Sequence, residues 1–201
     1  MSIIIVVITC VISITAFSNK KLFDKFIFVP GRILGNKEWY RLVSHGFIHA
    51  DGMHLFFNMF VLFLFGSKVE EYFNAIFGDK GIYYFILLYL GGLVFASLRT
   101  LQKEKDNYMY SSVGASGAVS GVLFTAILFK PLEQLCFYGI ICFPGIFWAI
   151  GYIGYSVYMS RKGTDNINHD AHLWGAIFGI VFTVILDYRI LFLFFDRLTD
   201  F

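Results

Sequence analysis

The apolar residues of this chain constrain its fold most, because they are gathered into six blocks that short polar stretches separate. The blocks run from Ile3 to Phe17, Met53 to Phe65 with an extension toward Phe73, Ile82 to Leu98, Ser116 to Phe129, Phe137 to Tyr158, and Ala171 to Leu186. Charged residues are only 15% of the chain, against about a quarter in soluble domains. This pattern predicts an all-α polytopic membrane protein, a bundle of six transmembrane helices.

The blocks differ in how well they match the roughly 20 residues that a helix needs to cross the hydrocarbon core. The third and fifth blocks fit that length, and the others draw on flanking residues. The fourth falls short of a full span, because it begins at Gly114-Ala115-Ser116-Gly117 and ends at Lys130-Pro131. Backbone groups at a helix start inside the membrane need protein or water as partners. We therefore expect Ser116 at a helix N-terminus, below the membrane surface and beside water.

The chain is interpreted as one domain over residues 1–201, with a core of about residues 3–186 and an interfacial tail over 187–201. Within that tail, the apolar stretch from Ile190 to Phe195 is too short to span. The first block lacks a basic n-region and a small-residue cleavage site, so it predicts a retained helix and not a signal peptide. The connection from Ser18 to Gly52 is long and aromatic-rich, which suggests a segment lying in the membrane interface.

The cysteines and the net charge are possible signs of a cofactor or of a nucleic-acid partner. Cys10, Cys136 and Cys142 lie in apolar stretches without paired spacing, and we interpret them as small buried hydrophobes. A net charge of +2 does not indicate a basic surface for nucleic-acid binding. Neither property indicates a cofactor.

Of the polar residues inside the predicted spans, five are candidates for a functional site, because polar side chains there are costly and face the bundle interior. His54 and Asn58 are four residues apart and so share one helical face. Ser116 and Ser120 belong to the fourth block, and His172 to the sixth. Each alone could serve as an interhelical hydrogen-bonding residue. Together, the five residues indicate a functional site more specifically than any one of them does alone.

Glycines offer a way to bring the fourth and sixth blocks together. Two pairs have small-xxx-small spacing, which lets helices approach closely: Gly117 with Gly121, and Gly175 with Gly179. If the two helices pack through these faces, Ser116 and His172 lie near the same end of the contact. That geometry would allow a hydrogen bond between the serine Oγ and the imidazole.

These motifs resemble those of the rhomboid proteases. The matching segments are Gly114-Ala115-Ser116-Gly117, Ala171-His172-Leu173-Trp174-Gly175, and His54 with Asn58, preceded by His45 and His49 at the family's spacing. The order of segments also resembles the six-helix bacterial form, over about Ile8 to Leu186. Three motifs on the expected helices are far more specific than a lone Gly-x-Ser-Gly.

The resemblance implies an intramembrane serine endopeptidase with a Ser-His dyad. By it, Ser116 is the nucleophile and His172 the general base, and His54, Asn58 and the Ser116 backbone N–H stabilise the oxyanion. The family cleaves transmembrane helices of other proteins near the membrane surface, so the expected partners are such substrates and the lipid bilayer. No metal or cofactor is implied, and the expected location is the bacterial inner membrane as an integral multi-pass protein.

The chain departs from the family pattern at two places. Many relatives have Trp-Arg in the first loop, whereas this chain has Trp39-Tyr40-Arg41. Some relatives have an aromatic residue four positions after the nucleophile, against which the base stacks. Here that position is Ser120, which leaves the packing of His172 without its usual explanation.

Orientation in the membrane is a conflict between two rules. The family places the N-terminus in the cytosol and the active site outside, which puts most of the lysines and arginines outside as well. The positive-inside rule predicts the reverse. The family orientation is the expected one, because a long interfacial first loop need not behave as an ordinary translocated loop.

Three other functions are compatible with parts of the pattern. A rhomboid-like protein that binds membrane proteins without cutting them usually lacks the serine or the histidine, and both are present here. A proton-relaying transporter would have acidic residues well inside its spans. A metalloenzyme could use His45 with His49, four residues apart, but the chain has no His-Glu-x-x-His motif.

Overall fold

A computed structural model describes residues 1–137, 141–163 and 167–199 of this chain, and it is mostly helical. The helices are α1 Ser2–Ser18, α2 Lys20–Phe26, α3 Pro30–Gly35, α4 Arg41–Ser44, α5 Gly52–Phe77, α6 Gly81–Lys103, α7 Ser116–Phe129, α8 Gly145–Lys162, α9 His169–Leu186 and α10 Arg189–Thr199, and the strands are β1 Gln134–Phe137 and β2 Ile141–Pro144. Single 3-10 turns follow α4 and α5, at His45–Phe47 and Gly78–Lys80.

Helix α7 is the centre of the bundle. Every residue from Gly117 to Phe129 is buried except Leu123, because α5, α6 and α9 all pack against this helix. Its bounds are those of the fourth apolar block. A helix that is apolar all round is typical of such a central position.

The outer helices expose apolar side chains instead. On α1 these are Ile3, Ile4, Val7, Ile8, Val11, Ile14 and Phe17. An apolar surface of this kind fits contact with lipid better than contact with water. By length and hydropathy, two stretches of the described residues qualify as membrane spans: Gly52–Lys103, which contains α5 and α6, and His169–Leu186. Helices α1 and α7 are also apolar but shorter.

Polar contacts define two ends of the bundle. At the Met1 end, the contacts are Met1 with Glu70, Lys68 with Glu133, and Arg197 with the carbonyl oxygen of Phe129. At the opposite end, which we call the Ser116 end, they are Thr100 with Asn168, Lys103 with Asp170, and Ser13 with His49. Strands β1 and β2, which follow Glu133, therefore lie at the Met1 end, and the loop between α6 and α7 lies at the Ser116 end.

The fifth apolar block is not one helix, which corrects both its predicted extent and the all-α prediction. Its beginning belongs to an antiparallel hairpin of β1 and β2, and α8 starts only at Gly145. Cys136 and Cys142 pair opposite each other in that hairpin and form a disulfide, so they are not simply buried hydrophobes. Cys10 is a free thiol. Residues 138–140 of the block lie outside the described part of the chain.

The connection from Ser18 to Gly52 is organised around Arg41, which is only 2% exposed. Its guanidinium donates hydrogen bonds of 2.7 Å to the carbonyl oxygens of Asp24 and Ile27, and it pairs with Glu38. The preceding Tyr40 and Trp39 are exposed. The tyrosine that separates tryptophan and arginine in this chain therefore does not prevent the arginine from fixing α2 against α4.

Candidate active site

The site begins with the turn that leads into α7. Gly114 has φ +114°, a conformation that residues with a Cβ rarely adopt. Its N–H donates to the carbonyl oxygen of His45 at 3.0 Å, and the N–H of Ala115 donates to Nε2 of His49 at 3.4 Å. The segment between α4 and α5 thus holds the two residues that precede Ser116.

Ser116 is the first residue of α7, and no side chain of the described residues caps this helix start. The first helical hydrogen bond on this turn runs from the Val119 N–H to the Ala115 carbonyl oxygen. The N–H groups of the first turn therefore have no carbonyl partner within the helix. Such a helix start is a favourable place for a negatively charged oxygen, because the helix dipole adds to the free donors.

Helices α7 and α9 touch through their backbones. A Cβ on Gly175 would overlap the carbonyl oxygen of Gly117, and one on Gly179 would overlap that of Gly121. A Cβ on Gly117 would lie 3.3 Å from the carbonyl oxygen of Ala171. The neighbours of Ser116 and His172 in the chain are therefore in contact, at the same end of the helix pair.

Further along the same contact, the hydroxyl groups of Thr125 and Thr183 lie 3.0 Å apart, and both are within hydrogen-bonding distance of the carbonyl oxygen of Gly179. Since each hydroxyl has one hydrogen, one threonine can donate to the carbonyl oxygen while the other donates to its neighbour. These bonds satisfy both hydroxyls inside the bundle. The packing of α7 on α9 is fixed at both its glycine and its threonine positions.

The ring of His172 packs against two aromatic neighbours. Tyr152 of α8 stacks on it, with 5.9 Å between ring centroids and 21° between planes. His169 meets it edge-on at 5.7 Å. His172 is half-buried at the Ser116 end of α9.

Tyr152 is the residue that sequence reasoning missed. A tyrosine in an apolar helix carries no motif, and the only hint was the serine at position 120. The Ser120 Oγ donates to the carbonyl oxygen of Ser116 at 2.8 Å and lies 2.5 Å from the Tyr152 hydroxyl. The aromatic neighbour of His172 therefore comes from α8, and Ser120 makes room for it.

His54 and Asn58 lie on the α5 face that meets the turn before Ser116. A Cβ on Gly114 would come within 2.8 Å of the His54 Nε2, so only glycine allows this approach. The Asn58 amide donates one hydrogen bond, of 2.9 Å, to the carbonyl oxygen of His54. Asp51 caps α5 by accepting from the His54 N–H at 2.8 Å.

His45 and His49 are buried side chains with partners on both ring nitrogens. The Nδ1 of His45 forms a hydrogen bond of 2.8 Å with the Arg41 carbonyl oxygen, and its Nε2 lies 3.3 Å from the Ser97 hydroxyl. The Nδ1 of His49 is 3.2 Å from the Ser13 hydroxyl. Burial lowers the pKa of His45 to about 4 and that of His49 to about 3.

These contacts bear on the metal hypothesis for His45 with His49. Each ring nitrogen already has a hydrogen-bonding partner within the protein. In the described part of the chain, no group of three or more His, Cys, Asp or Glu residues has the arrangement of a metal site.

A cavity of about 20 Å³ lies directly beside Ser116, which is room for about one water molecule. The polar residues that line it include Ser97, Ser112 and Asn168. A wider cleft of about 400 Å³ opens near Phe17 and Lys20, and none of the candidate site residues lines it.

Residues 36–189 match the family model described as "Rhomboid domain". The chain is 34% identical over 155 residues to the Bacillus subtilis protein named "Putative rhomboid protease YdcA", a match that covers 76% of this chain and 71% of that one. It is 31% identical over 164 residues to "Rhomboid-like protein 11, chloroplastic" of Arabidopsis thaliana, covering 74% of this chain and 53% of that one. A third relative is the zebrafish (Danio rerio) "Presenilin-associated rhomboid-like protein A, mitochondrial", at 28% identity, with 69% of this chain and 35% of that one covered.

Proposed function

Because this chain belongs to the rhomboid family, we propose that it is an intramembrane serine endopeptidase that hydrolyses peptide bonds in or near transmembrane segments of other membrane proteins. The proposal includes six membrane-spanning helices, α1 and α5 to α9. It also includes a Ser-His dyad of Ser116 and His172 and no metal or cofactor.

The observation that carries the proposal is the glycine contact between α7 and α9. Backbone contact at Gly117 and Ala171 joins the residue after Ser116 to the residue before His172. Ser116 is also the first residue of α7, where the helix has free N–H donors. A nucleophile needs an adjacent base and donors for the oxyanion, and these two observations support assigning those roles to residues in this corner of the bundle.

In the proposed mechanism, Ser116 Oγ attacks the scissile carbonyl carbon while His172 takes the hydroxyl proton. The tetrahedral intermediate then collapses, and His172 gives that proton to the leaving amine. Water next attacks the acyl-enzyme, again with His172 as base. His172 then returns this proton to Ser116 Oγ as the acyl bond breaks and the second product leaves. The small cavity beside Ser116 is suited to hold that water.

The oxyanion would receive hydrogen bonds from the Ser116 backbone N–H and from the side chains of His54 and Asn58. One amide hydrogen of Asn58 is used by the His54 carbonyl oxygen, which leaves the second for the substrate. In soluble serine proteases each such donor is worth about 3–4 kcal/mol of barrier. Several partly redundant donors would allow weak activity to survive the loss of one side chain.

Substrate helices must unwind locally, because a helical peptide bond is hidden in its own hydrogen bonds. Glycine or proline near the scissile bond weakens a helix by about 1 to 3 kcal/mol. We expect cleavage to rise along a substrate series that introduces such residues. Equal cleavage across the series would contradict this view of the substrate.

The decisive experiment measures cleavage of a fluorogenic transmembrane substrate by the purified protein in proteoliposomes. Ser116→Ala and His172→Ala should each abolish turnover, whereas the exposed Ser18→Ala should behave as the wild type. Several relatives carry "rhomboid-like" names. A folded wild type that cuts none of several substrates would favour the second candidate, a non-cleaving binder of membrane proteins.

A further inference from the structure

Tyr152 links α8 to both members of the proposed dyad. Its ring stacks on His172, and its hydroxyl lies 2.5 Å from the Ser120 Oγ. Ser120 in turn donates to the carbonyl oxygen of Ser116 at 2.8 Å. Three side chains on three helices therefore form one connected group around the nucleophile and the base.

The direction of these bonds follows from the number of hydrogens. Ser120 has one hydroxyl hydrogen, which it gives to the Ser116 carbonyl oxygen. The Tyr152 hydroxyl must therefore donate to the Ser120 Oγ. This bond fixes the far end of the tyrosine ring on α7, while the face of the ring lies along the imidazole of His172.

Building on the proposed function, we infer that Tyr152 is a positioning residue, which holds the imidazole of His172 in the orientation that proton transfer from Ser116 requires. An imidazole without this ring would sample other orientations, and misplacement by about 1 Å can cost about a hundredfold in rate. Because Tyr152 belongs to α8, displacement of α8 would also loosen the base.

The test compares Tyr152→Leu, which removes the ring, with Tyr152→Phe, which keeps the ring but removes its anchor on Ser120. Tyr158→Leu is the matched control, because Tyr158 lies on the same helix and is exposed. Measurements are kcat and KM for a transmembrane substrate, the pH–rate profile, and the labelling rate of Ser116 by a fluorophosphonate.

We expect Tyr152→Leu to lower kcat and the labelling rate by about tenfold to a hundredfold, with KM within about twofold of the wild type. The midpoint of its pH–rate profile should shift, and Tyr152→Phe should show a smaller loss. A folded Tyr152→Leu with unchanged kcat and pH profile would overturn the inference. If Tyr152→Leu does not fold, wild-type labelling rates in both Tyr152→Phe and Ser120→Ala would overturn it. A wild type that neither cleaves nor labels would contradict the proposed function instead.

A second, independent inference concerns which side of the membrane the site faces. The two ends of the bundle carry unequal positive charge, because 11 of the 16 lysines and arginines lie toward the Ser116 end. They are Lys20, Lys21, Lys25, Arg32, Lys37, Arg41, Arg99, Lys103, Lys105, Arg161 and Lys162, whereas Lys68, Lys80, Lys130, Arg189 and Arg197 lie toward the Met1 end. Positively charged segments next to spans stay on the cytosolic side.

The hairpin gives an observation that does not depend on charge. The Cys136–Cys142 disulfide lies at the Met1 end, in the connection between α7 and α8. Disulfides persist in oxidising compartments and are rare where thiols are kept reduced. Charge and disulfide therefore assign the same sides: the Ser116 end to the reducing side and the Met1 end to the oxidising side.

We infer that the Ser116 end faces the cytosol and that the hairpin and the N-terminus face outward. This reverses the orientation expected from the family resemblance. Where the proposed function holds, the scissile segment of a substrate would lie at the cytosolic end of its transmembrane helix, and its cytosolic portion would be released into the cytosol.

The test is cysteine labelling of the full chain in intact cells with a membrane-impermeant maleimide. In a Cys10→Ser background, Asp79→Cys reports on the Met1 end and Tyr108→Cys on the Ser116 end, where the native Tyr108 is 81% exposed. Paired Cys136 and Cys142 do not react with maleimide. We expect labelling of Asp79→Cys in intact cells, and of Tyr108→Cys only after permeabilisation.

Labelling of Tyr108→Cys in intact cells, alone or together with Asp79→Cys, would overturn this assignment. So would thiols at Cys136 and Cys142 that react in untreated wild-type protein. Repeating the map in Ser116→Ala should give the same result, because topology does not depend on catalysis. A failed cleavage assay would therefore leave the orientation result intact.

Discussion

The carbonyl oxygen of Gly117 occupies the place that a Cβ on Gly175 would need. Two helices can approach this closely only where neither has a side chain. Packing density in a bundle leaves little freedom to relax around an added methyl group. The separation of α7 and α9, and with it the distance between Ser116 and His172, therefore depends on this pair together with the matching pair of Gly121 and Gly179.

Gly175→Ala should destabilise the protein by about 1–3 kcal/mol through overpacking and lower its activity by pushing α9 away from α7. Unfolding in detergent and cleavage of a transmembrane substrate would measure the two effects. Gly151→Ala is the matched control, because a Cβ there meets nothing within 4 Å. A Gly175→Ala protein with wild-type stability and turnover would mean that the helices are not held by this contact.

Arg41→Met should loosen the first connection, because two backbone carbonyl oxygens and Glu38 lose a buried charged donor. Hydrogen bonds to charged groups contribute about 1.5–3 kcal/mol each. Limited proteolysis between α1 and α5 and the unfolding midpoint would detect the change. Arg32→Met is the control, since the Arg32–Asp24 pair is exposed and such pairs contribute about 0–1 kcal/mol. Similar effects from both substitutions would argue against a special role for Arg41.

Acidification should destabilise the protein through His45 and His49. Burial lowers both pKa values in the folded state, to about 4 and about 3, whereas the unfolded chain titrates near 6.5. The unfolded state therefore binds more protons below pH 6.5, and stability falls as the pH falls through this window toward 4. At pH 5 the lowered pKa of each histidine should reduce the free energy of unfolding by about 2 kcal/mol relative to neutral pH.

Unfolding midpoints measured from pH 7.5 to pH 5 test this directly. His45→Gln should be less stable than the wild type at pH 7.5, because it loses the bond to Arg41, but its midpoint should depend less on pH. An equally steep pH dependence in His45→Gln and His49→Gln would assign the acid sensitivity to other groups.

Asn58→Ala should lower kcat by about a hundredfold or more but leave measurable turnover, whereas Ser116→Ala should leave none. The other two proposed donors, the Ser116 N–H and the His54 side chain, remain in the asparagine variant. Asn107→Ala serves as control, because Asn107 is exposed in the loop after α6. Turnover by Asn58→Ala at the wild-type rate would show that the Asn58 amide does not stabilise the oxyanion.

The sequence predicts the helix centres well where glycine, proline or polar caps mark their ends. α7 begins at Ser116 and ends before Lys130-Pro131, as expected, because proline cannot continue a helix. α9 starts two residues earlier than the sixth block, since Asn168 caps it by accepting from the Ala171 N–H. The glycine faces were also predictable, because their spacing has only one common structural use in apolar helices.

The hairpin and Tyr152 could not be predicted in the same way. An apolar run such as Phe137 to Tyr158 has no periodicity that separates a strand from a helix. The pairing of Cys136 with Cys142 depends on the reversal of the chain between them, which composition does not encode. The contact of Tyr152 with His172 joins two helices, and only the tertiary packing determines it.

The enclosure of α7 also has a consequence for biosynthesis. Its 14 residues are too few to span the hydrocarbon alone, and nearly all are covered by protein. Such a segment is stable in the bilayer only once its neighbours surround it. Because α9 is made after α7, a nascent chain carries Ser116 before it has His172. Under the proposed function, the protein would therefore be unable to cut neighbouring helices at the insertion site until α9 has been made.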